Sequence, residues 1–235
     1  MALPTMDLPI YDLVIPSNNK KIKFRPFLVK EEKILLMALE TDDEQSIKNA
    51  VFDLLKACIT TRIKLENLAS FDLEYIFLNI RAVSVGEIVQ MNVTCQDDET
   101  TQVQYNLNIT EAQVIFPKGH TNKIMLTDTL GVMMKYPSFD GFVEGQFAQN
   151  KEFDVIKVVA ESIDQIFEGE EVYDESTTSK KEFKQFVESL TNAQLEKIQA
   201  FFETAPRLEH SFKITNPKTN VESDYTLRGL ASFFG

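Results

Sequence analysis

The chain has 235 residues, with 24 Lys plus Arg against 36 Asp plus Glu, a formal net charge of −12. A hydrophobic content of 43% is enough for a sizeable core and excludes disorder over most of the length, while the acidity argues against nucleic-acid binding, which rests on Lys and Arg neutralising phosphates. Two cysteines cannot build the disulfide framework of a small secreted domain, and no basic leader or membrane-length apolar run is visible, so a reducing compartment and no membrane are expected.

The first predicted elements are short strands, Ile10-Tyr11-Asp12-Leu13-Val14-Ile15 and Lys21-Ile22-Lys23-Phe24-Arg25, joined by the turn formers Pro16-Ser17-Asn18-Asn19. In the second strand Lys21, Lys23 and Arg25 share one face, with Ile22 and Phe24 on the other. That basic stripe is either a charged edge that discourages aggregation or a surface for an acidic partner. From Leu28 the period becomes helical, and Val29 to Leu39 reads as a helix buried at its end. Thr41-Asp42-Asp43-Glu44 has the form of a capping box with Thr41 as the cap. Behind it Ile47, Ala50, Val51, Leu54, Leu55 and Cys58 line one helical face, which makes Cys58 a small core residue rather than a nucleophile. A third helix follows Ser70, with Asp72 and Glu74 near its N-terminus where the helix dipole favours acids, and ends near Gly86.

Strands return at Glu87 to Cys95 and Thr101 to Ile109, around the polar turn Gln96-Asp97-Asp98-Glu99-Thr100, and shorter ones are expected within 112–117, 122–126 and 130–136. The Gly- and Pro-bearing stretch from Pro137 to Gly145 is the expected boundary between two lobes, 1–137 and 138–235. Beyond it Ile156, Val159, Ile163 and Ile166 or Phe167 mark one face of a helix ended by Gly169. Ser179-Lys180-Lys181-Glu182 and Thr191-Asn192-Ala193-Gln194 are two further capping boxes, each opening a helix. Glu170 to Glu175 then fall in a loop between helices. A terminal hairpin, His210 to Thr215 and on to Tyr225 across Asn216-Pro217-Lys218-Thr219-Asn220, precedes Leu227 to Phe234. Sliding the chain by 120 residues lays Tyr105 and Leu107 over Tyr225 and Leu227, a hint of two equivalent hairpins. The fold class is α+β, antiparallel hairpins packed with segregated helical bundles in two lobes.

The charge is concentrated. Residues 140–189 hold 13 acids and five bases, a net of −8, and 161–175 hold seven acids and no base. Three candidate surfaces for a partner follow: the basic stripe Lys21, Lys23 and Arg25; the acids Glu168, Glu170, Glu171, Asp174 and Glu175; and the terminal Phe233 and Phe234, which either dock on their own fold or plug a neighbour. The acids otherwise form a simple solvated loop.

Catalytic and cofactor signatures are missing: no Gly-rich phosphate loop, no His-Glu-x-x-His, and His120 and His210 stand 90 residues apart. Asp97-Asp98-Glu99 lacks the alternating acids and glycine of a calcium loop. Cys95 closes a strand where a zinc knuckle places its first ligand, but Asp98 stands three residues later and the second turn has Thr215 and Lys218. No catalytic, cofactor or metal residue is assigned, and an enzyme is not expected.

Three segments carry a resemblance: Phe77-Leu78-Asn79-Ile80-Arg81-Ala82-Val83-Ser84-Val85-Gly86-Glu87 running into Val93-Thr94-Cys95; Phe201 to His210; and Leu227 to Phe234. In this order and length they resemble the baseplate-hub assembly proteins of T-even-like contractile-tailed bacteriophages, a family that includes the hub chaperone. The resemblance implies a non-enzymatic role as a structural component or assembly chaperone of the tail baseplate hub, with other hub proteins as partners, in the host bacterial cytoplasm during assembly or in the virion tail. It offers no active-site residues. Relatives with Cys-x-x-Cys at the hairpin turns contrast with the lone Cys95, which leaves these turns to hydrogen bonds and packing. Two other readings stay open, a different virion adaptor and an acidic inhibitor of a basic host protein, the latter suggested by 161–175.

Overall fold

The computed structural model describes residues 7–41, 43–138 and 155–233. Among them are six α-helices and eleven strands in small antiparallel sheets, the α+β class. β1 (Tyr11–Val14) and β2 (Lys21–Phe24) form the first hairpin, with Leu13 opposite Ile22. Its turn closes through Ile15 N–H to the Lys20 carbonyl, with Asn19 at φ 57°, a conformation that a short amide side chain tolerates. Ile22 and Phe24 are buried while Lys21 and Lys23 face water, as a period of two requires.

α1 (Val29–Thr41) and α2 (Glu44–Cys58) pack against each other. The predicted face of α2, from Ile47 to Cys58, is buried throughout. Its cap is Asp43 rather than Thr41: the Asp43 carboxylate accepts the Ser46 N–H at 2.9 Å, whereas Thr41 ends α1 and donates its hydroxyl to the Ala38 carbonyl. Asp42 lies outside the described residues. α1 also departs from expectation. Ala38 is buried, but Ile34, Leu36 and Met37 are each more than half exposed, because α1 leans on α2 along one side only.

α3 (Ser70–Val85) is the axis of the larger core, with Leu73, Ile76, Leu78 and Ile80 buried on several faces. Around it lie Leu13, Ile22, Phe24, Leu54, Leu55, Leu107, Leu208, Leu230 and Phe233. Two further hairpins join here: β3 (Ile88–Thr94) with β4 (Gln102–Asn108), and β10 (Arg207–Thr215) with β11 (Glu222–Arg228); β10 also pairs with β5 (Gln113–Ile115). The hairpins stack on each other, burying Cys95, Phe212 and Ile214, with the rings of Tyr105 and Phe212 parallel at 4.2 Å.

The smaller core is built on a sheet ordered β6 (Lys123–Met125), β7 (Leu130–Met134), β8 (Ile163–Glu168), β9 (Glu171–Asp174). α4 (Val155–Glu161), α5 (Lys180–Glu188) and α6 (Asn192–Glu203) cover it through Val159, Phe183, Val187, Ile198 and Phe201. Both capping boxes, on Ser179 and Thr191, form as the sequence predicts. The helix expected to run through Phe167 stops at Glu161 instead, and Ile163 to Glu168 is a strand. The pairing of β8 with β7 slips at Met133/Met134, leaving Asp164 without an opposite residue, so Ile163 and Ile166 both turn inward. A bulged strand thus displays the i, i+3 spacing of a helix.

Two sets of contacts cross 137/138, the expected division between lobes. β7 pairs with β8 across it, and the terminal hairpin pairs with β5 and fills the first core, because the apolar faces of these strands find their complements there. Of the loop 137–145, residues 139–145 lie outside the described residues. Where the two cores meet, Ser70 N–H donates to the Pro137 carbonyl at 2.8 Å, and Tyr136 packs between Phe71 at 5.1 Å and Phe201 at 5.5 Å.

Candidate functional site

The basic stripe divides. Lys21 and Lys23 point to solvent from β2, whose outer edge is covered: Thr60 N–H donates to the Lys23 carbonyl and Lys23 N–H to the Thr61 hydroxyl. Arg25 is not part of that surface. β2 has ended, and the Arg25 guanidinium grips the Glu31 carboxylate through both nitrogens at 2.7 and 2.9 Å, while Glu31 also accepts Leu28 N–H at the start of α1. The side chains are only 16% and 10% exposed, so the pair locks β2 to α1. Arg25 holds the Glu31 carboxyl below the ordinary carboxylate range.

The acids sit on a hairpin rather than in an interhelical loop. Glu168 and Glu171 face each other across β8 and β9, Gly169 takes φ 61° at the turn, and Glu170 stands beside it. Like charges directly opposite are unfavourable for a sheet. Glu168, Glu170 and Glu171 are exposed, next to Val172 and Tyr173, which are 52% and 40% exposed. Asp174 instead folds onto Ser176 and Thr177, whose hydrogen bonds hold its carboxyl low, and Glu175 pairs with Lys135. Phe233 is fully buried in the first core and offers nothing to a neighbour; Phe234 lies outside the described residues.

The surface that sequence reasoning missed is the outer face of α1. Val29, Ile34, Leu36 and Met37 are 81%, 56%, 54% and 55% exposed, with Lys30 and Lys33 among them. With Ile10, Tyr11 and Val14 on the hairpin, residues 10–37 hold seven of the fifteen exposed large apolar side chains among the described residues. The signal was the unbroken run Ile34-Leu35-Leu36-Met37-Ala38-Leu39, which puts apolar groups all around a helix that packs on one side.

The remaining chemistry is structural. Burial pushes the Cys58 thiol up to about 12, which leaves it unreactive. Cys95 is buried at the head of its turn, where burial and the adjacent Asp97 and Asp98 raise its thiol too. In place of ligands across the two tips, Asp97 accepts the amide of the buried Asn216 through both oxygens at 3.0 Å, and the Thr219 hydroxyl. Tyr225 ties the same tips, donating to the Thr94 carbonyl and accepting Gln96 N–H, each at 3.0 Å. No group of three or more metal-ligating side chains occurs among the described residues. The two histidines are apart, His120 stacked on Tyr136 and Phe201, His210 on Phe212. An open groove of about 990 Å³ lies where the cores meet, with Lys135, Lys157, Lys180, Lys181 and Lys184 interspersed with Glu66, Glu161, Asp164 and Glu175, so it carries no strong net charge. No described helix is long and apolar enough to cross a membrane.

The model of the family described as T4 bacteriophage base plate protein matches residues 8–235, and the chain belongs to that family, a structural one of T4-like phage baseplates. No curated protein and no solved structure matches it.

Proposed function

We propose that this protein works in the central hub of the phage baseplate, as a component or assembly chaperone, by contacting other hub proteins. The observation that supports this reading is the outer face of α1, where Val29, Ile34, Leu36 and Met37 are exposed beside Lys30 and Lys33 in a chain otherwise strongly acidic. Such a patch costs solubility unless something covers it. The protein then acts in the host cytoplasm during assembly, in the finished tail, or in both. Lys21 and Lys23 serve as its basic rim, and Glu168, Glu170 and Glu171 form a second contact surface.

The test is affinity purification of the full chain from infected cells. Hub proteins should co-purify, and Leu36→Glu with Met37→Glu should release them while circular dichroism stays unchanged. Normal tails assembled in the absence of the protein would refute the reading. The exposed acidic hairpin favours one second reading, an inhibitor of a basic host protein. Replacing Glu168, Glu170 and Glu171 by Gln would then release a host protein and leave tails intact.

A further inference from the structure

Two surfaces of this chain complement each other, and they do not pack extensively together among the described residues. The first is the outer face of α1, where Val29, Leu36 and Met37 surround Lys33, and Lys30 lies one turn from Ile34 and two from Met37. Residues 20–33 hold six bases and two acids, and all five lysines among them are exposed. The second is the β8–β9 hairpin, which ends its sheet at β9 and exposes Val172 and Tyr173 among Glu168, Glu170 and Glu171. Apolar groups ringed by cations stand on one, apolar groups ringed by anions on the other.

We propose that the acidic hairpin of one copy docks on the α1 face of a second copy, so that the protein self-associates head to tail. This rests on the reading of the N-terminal surface as a protein contact and names what covers it. Burial of Leu36, Met37 and Tyr173, which shares its face of β9 with Glu171, supplies the affinity, and the Lys30/Lys33 to Glu170/Glu171 pairing supplies orientation and a salt-sensitive association rate. The contact is heterologous: each copy keeps one free surface of each kind, so copies add in sequence and form a ring or an open chain rather than stopping at a two-fold dimer.

Sedimentation velocity on the full-length protein, over a range of concentrations and at low and high salt, tests this directly. The wild type should grow beyond a monomer with concentration and revert as salt rises. The variants K30E/K33E and E170K/E171K should each lose self-association by roughly tenfold or more, each opposite-charge contact having become a repulsion. Mixed together they should associate again, because both interfaces between unlike variants regain opposite charges. L36E/M37E, altered only at exposed positions, should remain folded and monomeric. A wild type that stays monomeric at low salt, or variants that fail to associate when mixed, would overturn the proposal. If L36E/M37E also releases hub proteins from a monomeric wild type, the surface is a contact and its occupant is another protein.

Discussion

The Glu74 carboxylate accepts the backbone N–H of Leu230 at 3.2 Å, from 156 residues away along the chain. Glu74 is buried near the start of α3, so one carboxylate inside the first core anchors the 3₁₀ turn Leu230–Phe233, whose Phe233 fills that core. Two residues earlier, buried Asp72 accepts Ser17 N–H at 3.0 Å. The first turns of α3 therefore hold the N-terminal hairpin with one acid and the terminal segment with the next.

Burial pushes the Glu74 carboxyl up to about 7, against an ordinary value of 4.5. The folded state then binds its proton more tightly than the unfolded chain does. Its contribution is complete below the ordinary value and is lost as pH rises through about 7, by about 3 kcal/mol at most. Asp72, raised by the same burial, adds to that slope. Thermal unfolding should show the midpoint falling from about pH 5 to about pH 8, and Glu74→Gln should flatten that fall.

His120 works in the opposite sense. Its ring lies against Tyr136 and Phe201, with Nδ1 3.0 Å from the Thr204 hydroxyl, and burial lowers its basicity below the ordinary 6.5. Stability from the neutral ring is present above that value and is lost as pH falls below it. Nuclear magnetic resonance titration should place its pKa beneath that of a free histidine. His120→Phe should remove part of the loss of stability on acidification.

The cap of α2 is open to a direct comparison. Asp43→Ala should cost about 1 kcal/mol in urea unfolding, the usual worth of an N-cap side chain. Thr41→Ala, which removes the hydroxyl that ends α1 and its long 3.4 Å contact from Asp43 N–H, should cost less. The reverse order would assign the cap to Thr41.

Gly131 leaves no room for a side chain. A Cβ there would stand 2.8 Å from the Ile124 carbonyl oxygen and inside the Phe167 ring, which lies opposite on β8 and also receives Lys123 Nζ at 4.8 Å. Gly131→Ala should cost about 1–3 kcal/mol, with part recovered when Phe167→Leu is added.

Local chemistry was the readable part. The boxes at Ser179 and Thr191 close within three residues, and the α2 stripe repeats along one helix, so a short window of sequence contains each whole interaction. Asp72 and Glu74 lie where a helix dipole favours acids, yet their acceptors' work is to bind Ser17 and Leu230, which no local window connects. Ile163 and Ile166 share a core only because a bulge turns the chain between them. Of the candidate surfaces, Lys21, Lys23 and Glu168 to Glu171 are where the sequence put them, in water. Arg25 is not, since exposure depends on which neighbour arrives, here Glu31, whereas Phe233 docks on its own fold, one of the two outcomes open to it.

The position of β10 also bears on how the protein is made. This strand runs between β5 and β11, and its Leu208 lies in the core that begins with Leu13. Residues 207–233 leave the ribosome after everything they complete, so the nascent chain carries α3 and the β3–β4 hairpin with one side bare until then. Folding of this half waits on contacts far apart in the chain, such as Asp97 with Asn216, 119 residues later. During that interval the growing polypeptide exposes apolar surface that the finished fold covers, and a chain truncated before residue 207 would be prone to aggregate.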